Sequence, residues 1–214
     1  MQKVAVIGIG SNSVRMLIAE VEPDGFRRLT RDREGTRLFA GLDQRGNLNL
    51  ESMEKTAAAV TRMARSAERI GCERLHIFAT SATRDARNGA DFLRRLQELT
   101  GAAPEIVSGE EEAVLSFLGA TEIAPPGEPC GVIDIGGGST EIVLGQGARI
   151  DLALSCQMGA VRLFRLLSIL CREDMPAVEA AAEGILEEKW QGRAHRLHRP
   201  AGSEPAAPSL PWLL

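Results

Sequence analysis

Two short stretches, 7–13 (IGIGSNS) and 133–139 (IDIGGGS), decide how this chain folds, because both carry the pattern I-x-I-G-x-x-S. In each, a continuous apolar run rich in β-branched residues predicts a buried strand. The residues that follow the serine, Ser13 or Ser139, predict a second strand after a tight loop. An internal repeat of this kind indicates two related lobes.

The small residues of the two loops favour an anion-binding site. They let backbone N–H groups approach an anion closely, and serine hydroxyls add further donors. A strand-loop-strand arrangement excludes a dinucleotide fingerprint and a P-loop, since both require a helix after the loop. Two such loops facing each other would clamp a phosphate chain. The alternative is two unrelated tight turns.

One position breaks the repeat. The second loop is preceded by Asp134, where the first has Gly8. An acid at the end of a strand is typical of a group that binds Mg²⁺ or orients a water. Only one of the two loops has such an acid.

Acidic residues cluster in Ser108–Glu112, between a predicted strand and a predicted helix. The helix dipole stabilises acids in a first turn, and this alone explains one or two of the three glutamates. Successive residues point about 100° apart around a helix, so we expect at least one of them to face a cleft. A carboxylate beside a bound phosphate can take a proton from an attacking water.

Two further polar groups lie beside predicted strands. Thr80–Arg84 offers hydroxyls and a guanidinium at the carboxyl end of a strand, where ligands bind in α/β folds. Arginine binds phosphate oxygens bidentately, and a surface arginine at a helix start is the alternative. Glu141 shares a strand face with Ser139 if the alternation holds, and a structural cross-strand pair is its alternative.

The composition limits the classes of function. The chain has a net charge of −4, 4% aromatic residues and no Tyr, so we expect no specific nucleic-acid surface. Its four cysteines are far apart and predict free thiols in a reducing cytoplasm. No apolar run approaches the ~20 residues that span a bilayer and no leader is visible, so we expect a cytoplasmic protein without membrane contact.

Hydrophobic periodicity predicts an α/β chain. Strands are expected at Val4–Ile9 and Val14–Val21, followed by a helix over Leu50–Ile70, whose apolar residues recur every three or four positions. The other expected elements are strands at Leu75–Thr80, Glu105–Ser108, Gly131–Ile135, Thr140–Gly145 and Ala148–Ser155, and helices at Ala90–Leu99, Glu110–Leu118, Ala160–Leu170 and Ala177–Trp190.

A proline-rich segment, 125–129, predicts a linker between two lobes. It separates an N-terminal lobe, 1–124, from a partial second lobe, 130–192. The last residues, 193–214, contain four prolines without periodicity and predict a disordered tail.

Five segments occur in an order that resembles the exopolyphosphatase and guanosine pentaphosphate phosphatase family, Ppx/GppA. They are VIGIGSNSVRMLIAEV, FATSATRDARNGADFL, VSGEEEAVLSFLGA, VIDIGGGSTEIVLG and MGAVRL. The resemblance, which runs from Val4 to Leu167, implies an actin-like, ribonuclease-H-type α/β fold with two lobes, the second of them incomplete. It also implies Mg²⁺-dependent removal of terminal phosphate from inorganic polyphosphate, or of the 5′-phosphate from pppGpp. The partners would be polyphosphate or guanosine penta- or tetraphosphate.

The resemblance also implies roles for individual residues. Glu112 would be the general base, while Asp134 and Glu141 would help to hold Mg²⁺ and the attacking water. The phosphate contacts would come from Ser11, Asn12, Ser13, Arg84, Gly136, Gly137, Gly138 and Ser139.

The chain departs from the family pattern in two places. Gly8 stands where the family usually has Asp, and no later Gly-Gly-Thr motif follows Leu170. A shortened lobe leaves sheet edges uncovered and would favour a homodimer. These departures keep open a non-catalytic binder of polyphosphate or alarmone, in which Asp at position 8 would restore turnover. An actin-like small-molecule kinase is a further alternative, although no adenosine-binding segment is visible.

Overall fold

The structure is a computed structural model, and it describes residues 2–125 and 127–191. The chain divides between Ser108 and Gly109 into two compact units, called unit 1 and unit 2 below. The tail that we predicted to be disordered, 193–214, lies outside the described residues.

Unit 1 is built on a five-stranded mixed sheet with the order β3-β2-β1-β4-β5. The first three strands are antiparallel neighbours, and β4 runs parallel to β1. The elements are β1 Gln2–Ile9, β2 Ser13–Glu22, β3 Gly25–Gly35, α1 Leu50–Ile70, β4 Arg74–Ala79, α2 Ser81–Arg84, α3 Gly89–Thr100 and β5 Glu105–Ile106.

The core of unit 1 lies between α1 and one face of this sheet. Ile7 and Ile9 of β1 are fully buried, as is Val60 of α1. The side chain of Asn49 accepts a hydrogen bond from the Ser52 N–H and so caps the first turn of α1. The apolar residues predicted to recur every three or four positions therefore form the face that α1 buries.

Strand β3 was not predicted from the sequence, where no element was expected between Val21 and Leu50. Its residues are largely polar or charged, and most of them are exposed or half-buried. An edge strand solvated on both faces has no apolar alternation to reveal it. Only its pairing with β2 makes Gly25–Gly35 a strand.

Unit 2 contains a three-stranded antiparallel sheet with the order β6-β7-β8. One face is covered by α4, whose buried Ala113 and Phe117 pack with Val143. Burying a side chain as large as phenylalanine stabilises this packing by about 1.5–3 kcal/mol. The elements are α4 Gly109–Thr121, β6 Pro129–Ile135, β7 Thr140–Gln146, β8 Arg149–Cys156, α5 Ala160–Leu167 and α6 Met175–Gln191.

The opposite face of this sheet packs against the last two helices. Leu152, Leu154 and Cys156 of β8 form a cluster with Leu163 of α5, and α6 packs on this cluster through half-buried aliphatic residues. The two helices cover this face unevenly, because Ile133 on β6 is 67% exposed.

The boundary between the units differs from the predicted linker. The proline-rich segment at 125–129 follows α4, whereas the contact boundary precedes α4. The physical reason is the apolar packing of Ala113 and Phe117 on the sheet of unit 2. The polar start of α4 thus belongs to unit 2.

Among the described residues, none of the helices combines the length and the apolar character needed to cross a membrane.

Candidate active site

The two repeated loops form the same tight turn. In the first, the Gly10 N–H donates a 3.0 Å hydrogen bond to the Ser13 carbonyl, and in the second the Gly136 N–H donates one of 2.9 Å to the Ser139 carbonyl. The first turn joins β1 to β2 and the second joins β6 to β7, both pairs being antiparallel. The repeat in the sequence is therefore a repeat of backbone geometry.

The first loop is fastened by the segment that follows β3. The Asn12 carbonyl accepts hydrogen bonds from the N–H groups of Thr36 at 3.1 Å and Arg37 at 3.0 Å, and the Ser11 carbonyl accepts one from Phe39 at 2.9 Å. Arg37 adopts a left-handed backbone with φ 53°, which costs a non-glycine residue about 1–2 kcal/mol. These bonds fix the direction in which the carbonyls of the loop point.

The second loop is fastened by the start of α5. The Gly137 carbonyl accepts hydrogen bonds from the N–H groups of Val161 at 2.9 Å and Arg162 at 3.0 Å, and the Gly138 carbonyl accepts one from Arg162 Nε at 2.6 Å. A Cβ at Gly159 would lie 2.4 Å from the Gly137 carbonyl carbon and from the Gly138 nitrogen. Only glycine fits at position 159 without moving the loop.

Fastening the carbonyls leaves N–H groups available in both loops. Within the part of the chain that the structure describes, the N–H groups of Ser11, Asn12, Gly137 and Gly138 donate no hydrogen bond. Successive N–H groups of this kind form a concave anion-binding site. Each unit by itself therefore offers donors suited to phosphate oxygens.

Beside the second loop, a row of polar side chains crosses the sheet. Asp134 lies directly opposite Glu141, and Glu141 lies opposite Ser155. Residues that face each other in this way share one side of a sheet. Ser155 Oγ donates a 2.8 Å hydrogen bond to Glu141 Oε1, and Ser116 Oγ of α4 donates one of 2.7 Å to Asp134 Oδ2.

Glu112 joins this row from α4. It precedes Ser116 by four residues, so both side chains project from the same face of the helix. The negative charge of Glu112 is near enough to Glu141 to raise the pKa of that carboxyl group. Three acids from three elements of unit 2, α4, β6 and β7, therefore meet above one face of the sheet.

Glu141 has a strongly shifted pKa. Its side chain is only 2% exposed. Burial, followed by the charge of Glu112, raises the pKa of Glu141 from 4.5 to about 7, although hydrogen bonds from Ser155 and Ser139 lower it and the charge of Asp134 raises it further. A carboxyl group with this pKa changes its charge near neutral pH.

Arg84 lies in unit 1, at the end of the short helix α2. The Thr80 N–H donates a 3.1 Å hydrogen bond to the Ile9 carbonyl, so the segment before Arg84 begins next to the first loop. Arg84 Nη1 itself donates a 2.9 Å hydrogen bond to the Val107 carbonyl, and its Nε lies 3.9 Å from Asp85 Oδ1. The guanidinium is thus held at the carboxyl ends of β4 and β5.

Gly8, the position that breaks the repeat, is covered by an aromatic ring. Gly8 pairs with Phe78 of β4, and a Cβ at position 8 would lie 2.9 Å from Phe78 Cζ. The ring occupies the space that the first atoms of an aspartate would need. An acid at position 8 therefore requires Phe78 to move. The sequence alone did not reveal this steric cost of restoring Asp.

A sequence profile of the Ppx/GppA phosphatase family matches residues 17–192. This range covers more than half of the chain's 214 residues and includes Glu112, Asp134 and Glu141. The chain belongs to the Ppx/GppA phosphatase family. The match begins after the first loop, so the assignment of that loop as an anion-binding site is supported by its geometry and by the internal repeat.

Solved structures of Ppx/GppA type resemble the chain. An exopolyphosphatase-like protein is 31% identical with a TM-score of 0.83, and the match covers 89% of this chain and 62% of that protein. The PPX-GPPA enzyme of Aquifex aeolicus is 28% identical with a TM-score of 0.72, over 87% of this chain and 64% of the enzyme. An exopolyphosphatase from Cytophaga hutchinsonii is 23% identical with a TM-score of 0.83, over 91% of this chain and 64% of that protein. At this identity the likeness shows the fold alone.

These comparisons confirm the predicted α/β, actin-like fold of this Ppx/GppA family member. The chain spans about 62–64% of the length of these three relatives.

Asp134 and Glu141 of this family member suit a hard cation. Magnesium is usually held by one or two carboxylates together with waters and substrate phosphates. Among the described residues, no three His, Cys, Asp or Glu side chains form a metal site made of protein ligands alone. The charges of Glu112 and Asp134 both raise the pKa of Glu141, and a cation would relieve this repulsion. The carboxylates therefore fit a magnesium ion whose other ligands are water and phosphate.

Two residues of the site were missed in the sequence analysis. Ser116 hydrogen-bonds to Asp134, and Ser155 hydrogen-bonds to Glu141. A signal existed for Ser116, which lies four residues after Glu112 on a predicted helix. None existed for Ser155, because the register between β7 and β8 shifts at Leu144 and Gly145, and regular counting from the turn would place Leu154 opposite Glu141.

Proposed function

We propose that this chain hydrolyses a terminal phosphoric anhydride, in inorganic polyphosphate or at the 5′ end of pppGpp, with Mg²⁺ as cofactor. The observation that carries the proposal is the meeting of Glu112, Asp134 and Glu141 on one face of the unit 2 sheet, beside a loop with available N–H groups. Membership of a phosphatase family and the likeness to an exopolyphosphatase-like protein support it.

Each group of the site has a separate task in this reaction. The N–H groups of Gly137 and Gly138 hold oxygens of the terminal phosphoryl group and stabilise its charge. Glu112 accepts a proton from a water whose oxygen forms the new bond to phosphorus. The P–O bond to the rest of the chain breaks, and the leaving phosphate keeps the electron pair. Mg²⁺ held by Asp134 and Glu141 would neutralise charge on the phosphate oxygens.

The proton on Glu141 links this reaction to pH. Since its pKa lies at about 7, a large share of the Glu141 side chains is protonated at neutral pH without a cation. A carboxyl group must lose this proton before it binds a metal. Cation affinity should therefore rise with pH through the neutral range.

The proposal also places the protein in the cytoplasm. Its support is that all four cysteines, Cys72, Cys130, Cys156 and Cys171, are free thiols, as is typical of a reducing compartment.

The test is phosphate release from long-chain polyphosphate and from pppGpp, with and without Mg²⁺, by the unsubstituted chain and by Glu112→Gln. We expect Mg²⁺-dependent release that falls at least ~100-fold in Glu112→Gln, because the general base is lost. Glu111→Gln is the matched control, since it removes the neighbouring acid, which points about 100° away on the helix. Equal loss in both variants, or full release by Glu112→Gln, would contradict the proposal.

A second candidate function is favoured by one observation. Unit 1 lacks an acid at Gly8, and the Phe78 ring fills that space. A chain that keeps both loops but has carboxylates only in unit 2 would bind phosphate chains without turnover. Mg²⁺-independent binding of polyphosphate by folded protein that releases no phosphate would select this candidate over the hydrolase.

A further inference from the structure

Arginines line one face of the five-stranded sheet in unit 1, called the basic face below. On β2 and β3, Arg15 lies opposite Arg33, and Leu17 lies opposite Arg31. Opposed residues and alternate residues along a strand share a face, so these three arginines point to the same side. Arg28 opposite Ala19 and Arg74 opposite Val4 extend the same face.

A β-bulge assembles part of this face. The register between β2 and β3 shifts at Ile18 and Ala19, so that Thr30 pairs with Ile18 and Arg28 pairs with Ala19. Without the extra residue, strict alternation would place Arg28 and Arg31 on opposite faces. The bulge returns Arg28 to the side that carries Arg31.

The basic face is the side of the sheet turned away from α1. Arg62 of α1 hydrogen-bonds to Asp32 at 2.6 Å and to Glu34 at 2.8 Å, and these acids alternate along β3 with Arg31 and Arg33. Helix α1 therefore lies on the acidic side of β3.

The charge of this face is not balanced locally. Arg15, Arg31, Arg33 and Arg74 are exposed, and none of them forms an ion pair with any residue that the structure describes. The acid that the register places on this face is Glu105, at the far edge of the sheet. The whole chain has a net charge of −4, so this face is opposite in sign to the chain as a whole.

The basic face begins at the first loop. Arg15 follows Ser13 by two residues along β2. Arg33 lies opposite Arg15, and the Arg37 N–H donates to the Asn12 carbonyl. An anion seated on the N–H groups of this loop therefore has exposed arginines as its next neighbours.

The corresponding face of unit 2 is covered by helix α4. A helix packed in the same way on the basic face of unit 1 would have to bury its arginines. With the loops aligned, Arg15 corresponds to Glu141, and in unit 2 this face packs against Ala113 and Phe117 of α4. A helix on the basic face would take several guanidiniums out of water, which is costly unless each finds a partner. A flexible polyanion pairs with each of them while they stay hydrated.

We propose that the basic face of unit 1 binds an extended inorganic polyphosphate chain that continues from the first loop. Neighbouring strands place its arginines about 4.8 Å apart and alternate residues of one strand about 7 Å apart, spacings that a flexible chain of phosphates can follow. The identity of the polyanion rests on the proposed function. The basic face would make long chains better ligands than short ones, because tripolyphosphate seated on the first loop ends before it reaches Arg31, which lies opposite Leu17.

The experiment measures the binding of long-chain polyphosphate and of tripolyphosphate to the chain carrying Glu112→Gln, which prevents turnover. Arg31→Glu combined with Arg33→Glu is expected to weaken long-chain binding about tenfold or more and to reduce the salt dependence of binding. Tripolyphosphate binding should be unchanged. The control is Arg94→Glu combined with Arg95→Glu, an equal change of charge on the exposed face of α3. Arg31→Gln with Arg33→Gln repeats the test if the charge reversal does not fold.

Several outcomes would overturn the proposal. Long-chain affinity equal to that of the α3 control would remove the basic face from binding. Equal loss for both ligands would assign the arginines to the terminal phosphate site. Tighter binding of single-stranded RNA than of polyphosphate would make nucleic acid the ligand. A dimer that dissociates on Arg31→Glu with Arg33→Glu, without a change in polyphosphate affinity, would make this face a protein interface.

The result is independent of whether the hydrolase proposal holds. Chain-length-dependent binding that the arginine substitutions abolish would support the basic face even if the unsubstituted chain released no phosphate. Phosphate release with affinity that does not depend on chain length would leave the hydrolase standing and overturn the basic face.

Discussion

Units 1 and 2 share a backbone turn but surround it with opposite charge. Gly10–Ser13 and Gly136–Ser139 close with hydrogen bonds of 3.0 and 2.9 Å. Before the turn stands Gly8 in unit 1 and Asp134 in unit 2, and the residue opposite is Arg15 or Glu141. The turn is thus the common element, and the flanking pair decides whether a loop attracts only anions or also a cation.

This difference suggests a division of labour. A phosphate chain needs N–H donors along its length, which either turn offers, while a cation and an attacking water need carboxylates at one place. Among the residues that the structure describes, acids flank the turn in unit 2 and not in unit 1, and Ser116 and Ser155 orient them. Substitutions that add or remove charge beside the turns test the comparison directly.

The largest effect is expected from Glu141→Gln in metal-free buffer. The pKa of Glu141 is raised from 4.5 to about 7 in the folded state, so between these values the folded chain holds a proton that the unfolded chain releases. The contribution of Glu141 to stability is therefore most favourable below about pH 4.5, falls as pH rises to about 7, and stays lower above it. At about pH 8 the substitution should raise the free energy of unfolding by about 3 kcal/mol.

This prediction is checked by urea unfolding at acidic and alkaline pH with a chelator present. Glu187→Gln, which removes an exposed acid of α6, is the control. An alkaline gain no larger than that of the control would show that burial of Glu141 does not oppose folding.

The next largest effect is expected when unit 1 is given the acid of unit 2. Gly8→Asp should lower the free energy of unfolding by about 1–3 kcal/mol, because its Cβ displaces the Phe78 ring. In a Phe78→Ala background the same change should cost less. A double-mutant cycle measures this coupling. Gly35→Asp is the control, since a Cβ there meets no atom within 4 Å; zero coupling would refute the steric account.

A smaller effect is expected at the serine that orients Glu141. Ser155→Ala removes the 2.8 Å hydrogen bond to Glu141 Oε1, which lowers the pKa of that group. The pKa of Glu141 should rise further, and stability at alkaline pH should fall by about 0.5–1.5 kcal/mol. Titration of the Glu141 side-chain carbon by NMR follows the shift, and a downward shift would contradict the assignment.

The smallest effect is expected where a helix meets the sheet of unit 1 through an exposed ion pair. Arg62→Met removes the contacts to Asp32 and Glu34 and should change stability by less than about 1 kcal/mol. Arg62 lowers the pKa of Asp32, so this contribution is lost as pH falls through the folded pKa of Asp32. Unfolding at low and high salt checks it, because screening should erase the difference.

The fold was predictable wherever apolar residues were periodic or continuous in the sequence. Helix α1 was found from its recurring buried face, and β1 and β6 were found from continuous apolar runs, although β6 is mostly exposed rather than buried as predicted. Strand β3 was missed because neither of its faces is continuously apolar. Helix α5 was predicted to reach Leu170 but ends at Leu167, where Ser168 turns left-handed with φ 49°, a conformation that no local residue type announces.

For the candidate site, the sequence indicated residue types better than neighbours. The repeat pointed to Gly136–Ser139, and the acid that breaks it pointed to Asp134. The choice of Glu112 among three adjacent glutamates came from family resemblance, and the structure adds its nearness to Glu141. The Phe78 ring over Gly8 was not predictable, because it depends on the register of two strands far apart in the sequence.

Strand β6 has a practical consequence at the bench. It forms an edge of its sheet among the described residues, and Ile133 and Ile135 are 67% and 68% exposed on it. Such an edge promotes aggregation, because it exposes unpaired backbone groups and apolar side chains to other copies of the protein. We expect concentrated stocks to aggregate and their light scattering to rise with storage. Polyphosphate titrations are therefore best made on freshly filtered, dilute samples, where turbidity is not mistaken for binding.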